Sequence, residues 1–280
     1  GAIGFTDDGA GVQNAAVMSR ALKYAQMFDL VISQHCQDDS LGSNGVMNAG
    51  YNSAKLGLPG TSSLAEEMML WRDIQLVRKT TVRYHGQHIS TAGSVKIIKQ
   101  AKAEGVAITC EATPHHLLFT DDEIAGYDTN YKVNPPLRTQ PDIDALKEAI
   151  KDGTIDCLAS DHAPHLTSEK ELEFLTAPFG IASLECALAL YVKALIEPGI
   201  IDWPRLIEMM TCKPAAVIGI EKGTLTKGTQ ADITIIDPNA DYKIDTAKFY
   251  SKSKNCPYHG WPVTAKIKKT ILAGEIRYSN

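Results

Sequence analysis

Several features that mark other classes of protein are missing from this sequence. None of its six cysteines forms a C-x-x-C pair, which argues against a zinc ribbon or a compact disulfide framework and favours reduced thiols. The longest apolar stretch, residues 181–196, is interrupted by Glu185 and Lys193, so no run reaches the roughly 20 apolar residues of a membrane span. The N-terminus lacks the basic segment of a signal peptide. These absences predict a soluble, cytoplasmic protein without a membrane partner.

The charge pattern excludes another class. The chain has 280 residues, of which 44% are hydrophobic and 22% charged, and its formal net charge is -5. Acidic and basic residues are mixed along the chain, so no basic stripe is available for nucleic acid. We therefore expect a globular protein that binds a small molecule or another protein.

Short β-like runs alternate with helical patterns from residue 1 to about residue 213. This alternation is typical of βα units around a parallel sheet, and thus of the α/β class. Between the runs, residues 94–104 and 142–151 carry apolar stripes at helical spacing, and Gly105 and Gly153 follow as helix stops. The predicted strands are residues 2–5, 30–33, 82–87, 107–111 and 155–160.

The pattern changes after about residue 214. Short β-like pieces separated by turn residues predict a second, small β module. Its expected strands are residues 223–225, 231–236, 265–272 and 275–278, with turns at Gly228, Pro238, Asn239 and Gly274.

Residues that could bind a metal or move protons follow the predicted strands. Because the carboxyl ends of parallel strands meet at one face of a barrel, we expect these side chains to converge. Imidazole and carboxylate ligands suit Zn²⁺, which lowers the pKa of bound water, and a nearby carboxylate accepts the proton. We expect Asp161 to be that carboxylate. The full set is Asp7, Asp8, His35, His88, Asp161, His162 and His165.

Structural explanations compete with this interpretation. A single histidine at a strand end is more often hydrogen-bonded than metal-bound, and two aspartates before Gly9 also favour a turn. The run Asp-His-Ala-Pro-His at 161–165 is harder to explain structurally, because three ionisable side chains in five residues are costly to bury without partners. His85 is expected to be structural, His259 to be a packing or surface residue, and His115 and His116 remain unassigned.

Seven short motifs follow one another in a fixed order. They are Gly-Phe-Thr-Asp-Asp-Gly at 4–9, Gln-His-Cys-Gln-Asp at 34–38, Gln-His-Ile-Ser-Thr-Ala at 87–92, Thr-Cys-Glu-Ala-Thr-Pro-His-His-Leu at 109–117, Val-Asn-Pro-Pro-Leu-Arg at 133–138, Asp-Cys-Leu-Ala-Ser-Asp-His-Ala-Pro-His at 156–165 and Ala-Pro-Phe-Gly-Ile at 177–181. Together they resemble the motif set of the dihydroorotases, metal-dependent hydrolases of the amidohydrolase superfamily. The resemblance covers essentially the whole chain.

The resemblance implies a fold and a division into domains. Residues 1–213 would form a partial TIM-type (β/α) barrel, from strand four to strand eight, and residues 214–280 a small β-sandwich-like module. Since such a remnant leaves two sheet edges unpaired, we expect the 280 residues to be part of a longer protein or to need a partner chain.

The resemblance also implies roles for individual residues. His35, His88 and Asp161 would be metal ligands, and Asp161 also the general acid and base. Asp8, preferred to Asp7 by its spacing from His35, would be the fourth-strand ligand. The substrate-binding positions would be Asn134, His165, Pro178 and Gly180, with residues 166–176 as a mobile lid.

The implied reaction is the reversible hydrolysis of L-dihydroorotate to N-carbamoyl-L-aspartate in pyrimidine biosynthesis. Metal-bound hydroxide would attack the ring amide while Asp161 relays the proton to the departing nitrogen. The sequence contains no His-x-His, which family members carry at the first strand. We therefore expect Zn²⁺ at the remaining ligands, as one ion or two, with the absence of His-x-His favouring one ion over a binuclear centre.

Two alternatives remain open. Allantoinase or hydantoinase chemistry would use similar residues on another cyclic amide. Alternatively, the chain would be a catalytically silent subunit that supports a partner such as aspartate transcarbamoylase. In either case its partner chain would be aspartate transcarbamoylase or a second copy of itself in a homodimer.

Overall fold

The computed structural model describes residues 1–42 and 44–280. All five strands predicted for the first part of the chain are present, at slightly different bounds. The described strands are β1 Gly4–Thr6, β2 Val31–Gln34, β3 Met47–Asn48, β4 Gly60–Thr61, β5 Tyr84–Gly86, β6 Ile108–Ala112, β7 Cys157–Leu158, β8 Ile233–Lys243, β9 Pro262–Leu272 and β10 Glu275–Ser279.

The central sheet is parallel and has the order β1-β2-β5-β6-β7. Phe5 pairs with Ile32, Ile32 with Tyr84, and Tyr84 with Ile108. Ile32, Tyr84 and Ile108 are buried, whereas Phe5 on the edge strand is 49% exposed. The α/β class with a parallel sheet is thus confirmed, and the strands follow one another as in consecutive βα units of a barrel.

Helices connect the strands. The described α-helices are α1 Ala15–Gln26, α2 Asp39–Gly42, α3 Tyr51–Leu56, α4 Ser63–Val77, α5 Ala92–Ala103, α6 Pro114–Leu118, α7 Gln140–Lys151, α8 Thr167–Lys170, α9 Ala187–Tyr191, α10 Trp203–Met210 and α11 Cys212–Ile218; α9 continues as a π-helix over Val192–Ile196. None of the described helices is both long and apolar enough to cross a membrane.

Helix α7 illustrates how the sequence determines these elements. Its N-cap Thr139 and Asp142 form a capping box, which satisfies free N–H groups of the first turn. The predicted apolar stripe is buried, with Leu146 and Ile150 both fully inaccessible. After the helix, Gly153 adopts φ +85°, a conformation that disfavours other residues. The predicted stripe and stop are both confirmed.

The C-terminal module contains an antiparallel sheet of order β10-β9-β8. Two details of its prediction were wrong. Residues 223–225 form no strand, and β8 runs through the expected turn at Pro238 and Asn239, where a register shift between Asp237 and Asp241 absorbs the extra residues. Helix α11 crosses the boundary at 213/214, so that division of the chain stays a prediction.

Candidate metal centre and active site

The carboxyl edge of the central sheet brings together the side chains that follow its strands. Asp8 lies just after β1, His35 directly after β2, and His88 two residues after β5. One ligand atom from each of these three residues lies within 4.8 Å of the other two. Among the described residues, Asp7 is outside this group and Asp8 is in it, and the role of Asp8 as a metal ligand stays a prediction.

The three side chains fit a divalent cation. Asp8 Oδ1 is 3.4 Å from His88 Nε2 and 3.7 Å from His35 Nδ1, and the two imidazole nitrogens are 3.0 Å apart. Zinc ligands lie about 2.0–2.2 Å from the metal, which places them about 3.3 Å from one another in a tetrahedral site. The observed spacings match that value, and both histidines are buried.

The electrostatics of this cluster also favour a cation. Burial, aided by the neighbouring His88, lowers the pKa of His35 to about 4. Burial opposes a charge on His88 too, but its hydrogen bond with Asp8 and the carboxylate of Asp161 raise its pKa to about 9. The same contact with His88 lowers the pKa of Asp8 against the effect of desolvation. The carboxylates thus draw positive charge into the site.

Two site residues have unusual backbone conformations. His88 has φ +30° and Asp161 has φ +47°, in the region that non-glycine residues seldom occupy. Surrounding bonds hold the first of these: the His88 amide donates to Glu111 Oε1 over 3.3 Å, and the next amide, of Ile89, donates to the Glu111 carbonyl over 2.9 Å. Such strain concentrates at functional sites.

Asp161 lies beside the cluster but is not one of its three members. Its Oδ2 is 3.5 Å from Nε2 of the fully buried His115. Burial alone would raise the pKa of Asp161, yet the contact with His115 and the charge of His88 hold that pKa well below its usual value. The side chain is therefore a carboxylate at neutral pH, and its role as a fourth ligand stays a prediction.

The predicted substrate-binding residues surround the same site. The Asn134 amide nitrogen lies 3.2 Å from His35 Nε2, so this side chain reaches the metal cluster. His165 Nε2 donates to the Phe179 carbonyl over 2.8 Å and so contacts the 178–180 segment. Gly180 adopts φ +139°, and a Cβ there would lie 2.5 Å from Ala163 Cβ, which requires glycine.

Two buried lysines fasten the segment that was expected to be a mobile lid. Lys132 Nζ donates to the carbonyl oxygens of Phe174, Leu175 and Ala177 over 2.6, 3.1 and 2.7 Å. Lys170 Nζ donates to the carbonyls of Pro178 and Gly180 over 2.9 and 3.2 Å. Helix α8 forms part of the segment. The structure shows a tied loop, and its mobility stays a prediction.

Sequence reasoning missed several contacts around the site. His115 and His116 were left unassigned, yet both are buried next to predicted site residues. His85, expected to be structural, contacts Glu111 over 3.1 Å, and Glu111 in turn holds the His88 backbone. The consecutive histidines after Thr-Pro were the available signal, since two adjacent buried imidazoles need partners.

Comparison with protein families adds independent information. The model of the family described as "Amidohydrolase family" matches residues 1–277. The chain is 48% identical over 276 residues to a dihydroorotase of Pelotomaculum thermopropionicum, and 48% identical over 278 residues to one of Geobacter metallireducens. Each match covers 99% of this chain and 65% of the relative, so the chain spans about two thirds of the length of these relatives.

Solved structures share the fold of this chain. The L-hydantoinase (dihydropyrimidinase) of Arthrobacter aurescens matches with a TM-score of 0.88 and 27% identity, covering 100% of this chain and 65% of that one. A D-hydantoinase of a Thermus species matches with a TM-score of 0.85 and 21% identity over 99% of this chain and 62% of that chain, which supports the fold alone.

Proposed function

The chain belongs to the amidohydrolase family, and from this premise we propose that its site hydrolyses L-dihydroorotate reversibly to N-carbamoyl-L-aspartate. The observation that carries the proposal is the convergence of Asp8, His35 and His88 beside an ionised Asp161. The 48% identity to proteins named dihydroorotase favours this substrate over other cyclic amides. This reaction would be a step of pyrimidine biosynthesis in the cytoplasm.

We propose Zn²⁺ as the cation held by Asp8, His35 and His88. Such an ion supplies Lewis acidity, which polarises a carbonyl and lowers the pKa of water. When the cation displaces the proton of His88, the two buried imidazoles supply neutral nitrogen donors, and the half-exposed Asp8 carboxylate supplies an anionic one. The Asn134 amide nitrogen, 3.2 Å from His35 Nε2, contacts that ring and restricts its rotation.

Asp161 moves the proton in the proposed reaction. Because its pKa is held low, Asp161 is a carboxylate before each turnover. This carboxylate accepts a proton of the attacking water as the water oxygen bonds to the ring carbonyl carbon. The amide bond between the ring carbonyl carbon and nitrogen then breaks, and Asp161 gives the proton to the departing nitrogen. In the reverse direction the same carboxylate takes a proton from the carbamoyl nitrogen and passes it to the departing oxygen, which takes a second proton from solvent and leaves as water.

Substrate orientation falls to the groups around the metal cluster. Asn134 and His165 would contact the ring and the carboxylate of dihydroorotate, and residues 178–180 would cover it. The tight approach of Gly180 to Ala163 keeps this covering segment against His165. We therefore expect changes in the segment to alter KM more than kcat.

Hydantoinase activity is the second candidate, because the Arthrobacter aurescens L-hydantoinase matches with a TM-score of 0.88 and 27% identity. The two activities differ in the acidic group, since dihydroorotate carries a carboxylate that hydantoin lacks. Relative kcat/KM for dihydroorotate, hydantoin and dihydrouracil separates them. Higher kcat/KM for either neutral ring would favour the second candidate.

The direct test is steady-state hydrolysis of dihydroorotate by the purified chain loaded with Zn²⁺, with metal content measured on the same sample. Asp161→Asn should lower kcat at least about a hundredfold, the usual range for a lost general base. Asp7→Asn, at the neighbouring position outside the cluster, is the matched control for Asp8→Asn, which should lose metal. Equal activity of Asp161→Asn and the unaltered chain would contradict the proposal.

A further inference from the structure

We infer that the consecutive histidines of helix α6 are positioning residues for two different groups of the site: His115 holds the Asp161 carboxylate, and His116 holds the turn that carries Asn134. This inference rests on the proposed function and extends it to residues that touch neither substrate nor metal. Both side chains are buried, at 0% and 2% exposure, so neither acts as a surface group.

The hydrogen bonds of His116 define its tautomer. Its Nε2 is 2.9 Å from the Pro135 carbonyl oxygen, which only accepts, so Nε2 carries the hydrogen. Its Nδ1 is 2.7 Å from the hydroxyl of Thr113, the N-cap of α6, and therefore accepts from that hydroxyl. Burial holds the pKa of His116 well below its usual value, which agrees with a neutral ring. A neutral imidazole thus joins the cap of α6 to the residue after Asn134.

The fixed turn matters because of what Asn134 contacts. The Asn134 amide lies 3.2 Å from His35 Nε2, on the side of the ring away from the metal cluster. The chain of contacts therefore runs from Thr113 through His116 and Pro135 to Asn134. Loss of the His116 donor would leave the buried Pro135 carbonyl unsatisfied and let this turn move.

His115 faces Asp161, and this carboxylate is its one candidate partner among the described residues. Among the described residues, neither of its ring nitrogens makes a hydrogen bond of ordinary length. The Asp161 Oδ2 atom, 3.5 Å from Nε2, is the acceptor that this nitrogen faces. A fully buried imidazole requires a partner, and a donor on Oδ2 leaves Oδ1 of Asp161 free for the proton. The contact thus assigns different tasks to the two carboxylate oxygens.

The helix explains why two neighbours reach different groups. Successive residues on an α-helix point about 100° apart, so side chains at i and i+1 face different directions. The rings of His115 and His116 are tilted by 58° with centroids 4.4 Å apart. One short helix therefore links the proton-transfer group to the substrate-orienting group.

The kinetic test uses the separation of kcat from KM in the metal-loaded full chain. His115→Phe should lower kcat by about 10- to 100-fold, the range found for lost outer-shell partners, with KM changed less than about threefold. His116→Phe should raise KM by about tenfold and change kcat less. His115→Gln and His116→Gln keep an N–H donor and should recover part of each loss. His259→Phe, in the C-terminal module, is the control.

A spectroscopic test is independent of turnover. In ¹⁵N-histidine NMR spectra of the full chain, assigned through the His115→Phe and His116→Phe variants, Asp161→Asn should shift the ring nitrogens of His115 and leave those of His116 unchanged. His116 should show one protonated and one accepting nitrogen. Unshifted His115 signals, or the same kinetic effect from both phenylalanine variants, would overturn the inference. Failure of the unaltered chain to hydrolyse dihydroorotate would instead overturn the proposed function, and the NMR result would still decide the contacts.

Discussion

The carboxyl edge of the parallel sheet and the C-terminal antiparallel sheet use side chains in different ways. At the parallel edge, buried charged and polar groups bind backbone atoms far away in sequence, as when Arg138 Nη1 donates to the Thr61 carbonyl over 3.1 Å. In the module, β8 and β9 pair through their backbones from Ile233–Ile271 to Lys243–Pro262, and large apolar side chains such as Ile235 and Ile276 remain exposed.

This difference between the two regions shows that side-chain positions must be held more precisely at the parallel edge than in the module. Catalytic geometry must be held within a fraction of an ångström, so side chains that support it, such as Arg138 and Lys132, are buried and make several hydrogen bonds. The exposed face of the antiparallel sheet has no such requirement. The same type of substitution should therefore have a large effect at the parallel edge and a small effect in the module, which three predictions examine.

The largest effect is expected from Arg138. Its guanidinium is buried and donates to Asn48, Thr61 and Ser90, and it lies 4.0 Å from the buried Glu66. Arg138→Met would leave that carboxylate without its cation and should cost about 3–5 kcal/mol of unfolding free energy. Urea denaturation measures the loss.

The matched control is Arg277 in β10, which pairs with Glu275 at 2.6 Å on the exposed face. Exposed ion pairs contribute little because water screens them, so Arg277→Met should leave the urea midpoint nearly unchanged. Equal losses of unfolding free energy in Arg138→Met and Arg277→Met would contradict the predicted difference between the two regions.

A smaller effect is expected from Lys132. Its ammonium satisfies three carbonyls of the loop before Gly180, so Lys132→Met should cost about 1–3 kcal/mol for unsatisfied acceptors and raise KM. Limited proteolysis should then cut within residues 171–177. Lys266→Met, which removes an ammonium 5.8 Å from the Tyr242 ring in the module, should do neither. Resistance of Lys132→Met to proteases would argue against a tied loop.

The smallest effect is a pH dependence that comes from His116. Burial holds the pKa of His116 in the folded chain well below its ordinary value of 6.5, so the unfolded state binds more protons between these two values. Stability from this group is complete above pH 6.5 and falls at lower pH, by at most about 1.4 kcal/mol per pH unit. The difference in unfolding free energy between the unaltered chain and His116→Gln should therefore shrink from pH 7 to pH 5. A constant difference would contradict it.

The sequence predicted the parallel strands and the residues at their ends. Apolar runs bounded by turns marked all five strands, and the residue directly after β2, His35, was placed correctly at the sheet edge. The sequence favoured Asp8 over Asp7 only by its spacing from His35, because both aspartates follow the same strand. The 3.4 Å distance between Asp8 Oδ1 and His88 Nε2 agrees with that preference, and the role of Asp8 as a ligand stays a prediction.

Contacts made across loops could not be predicted. Whether His116 meets Pro135 depends on the return of the 133–138 segment over α6, which no local pattern encodes. The error at residues 223–225 has another cause. A three-residue β-like run has no stable partner of its own, and the antiparallel sheet begins only at Ile233.

The carbonyl contacts of Lys132 and Lys170 give the loop a chemical reporter. Both amines are nearly inaccessible, at 2% and 6% exposure, so an acylating reagent reaches them only when the segment lifts away. Their rate of acetylation, relative to that of an exposed amine such as Lys248, therefore reports how often the loop opens. Slower labelling in the presence of a bound ligand would measure, residue by residue, how far that ligand closes the site.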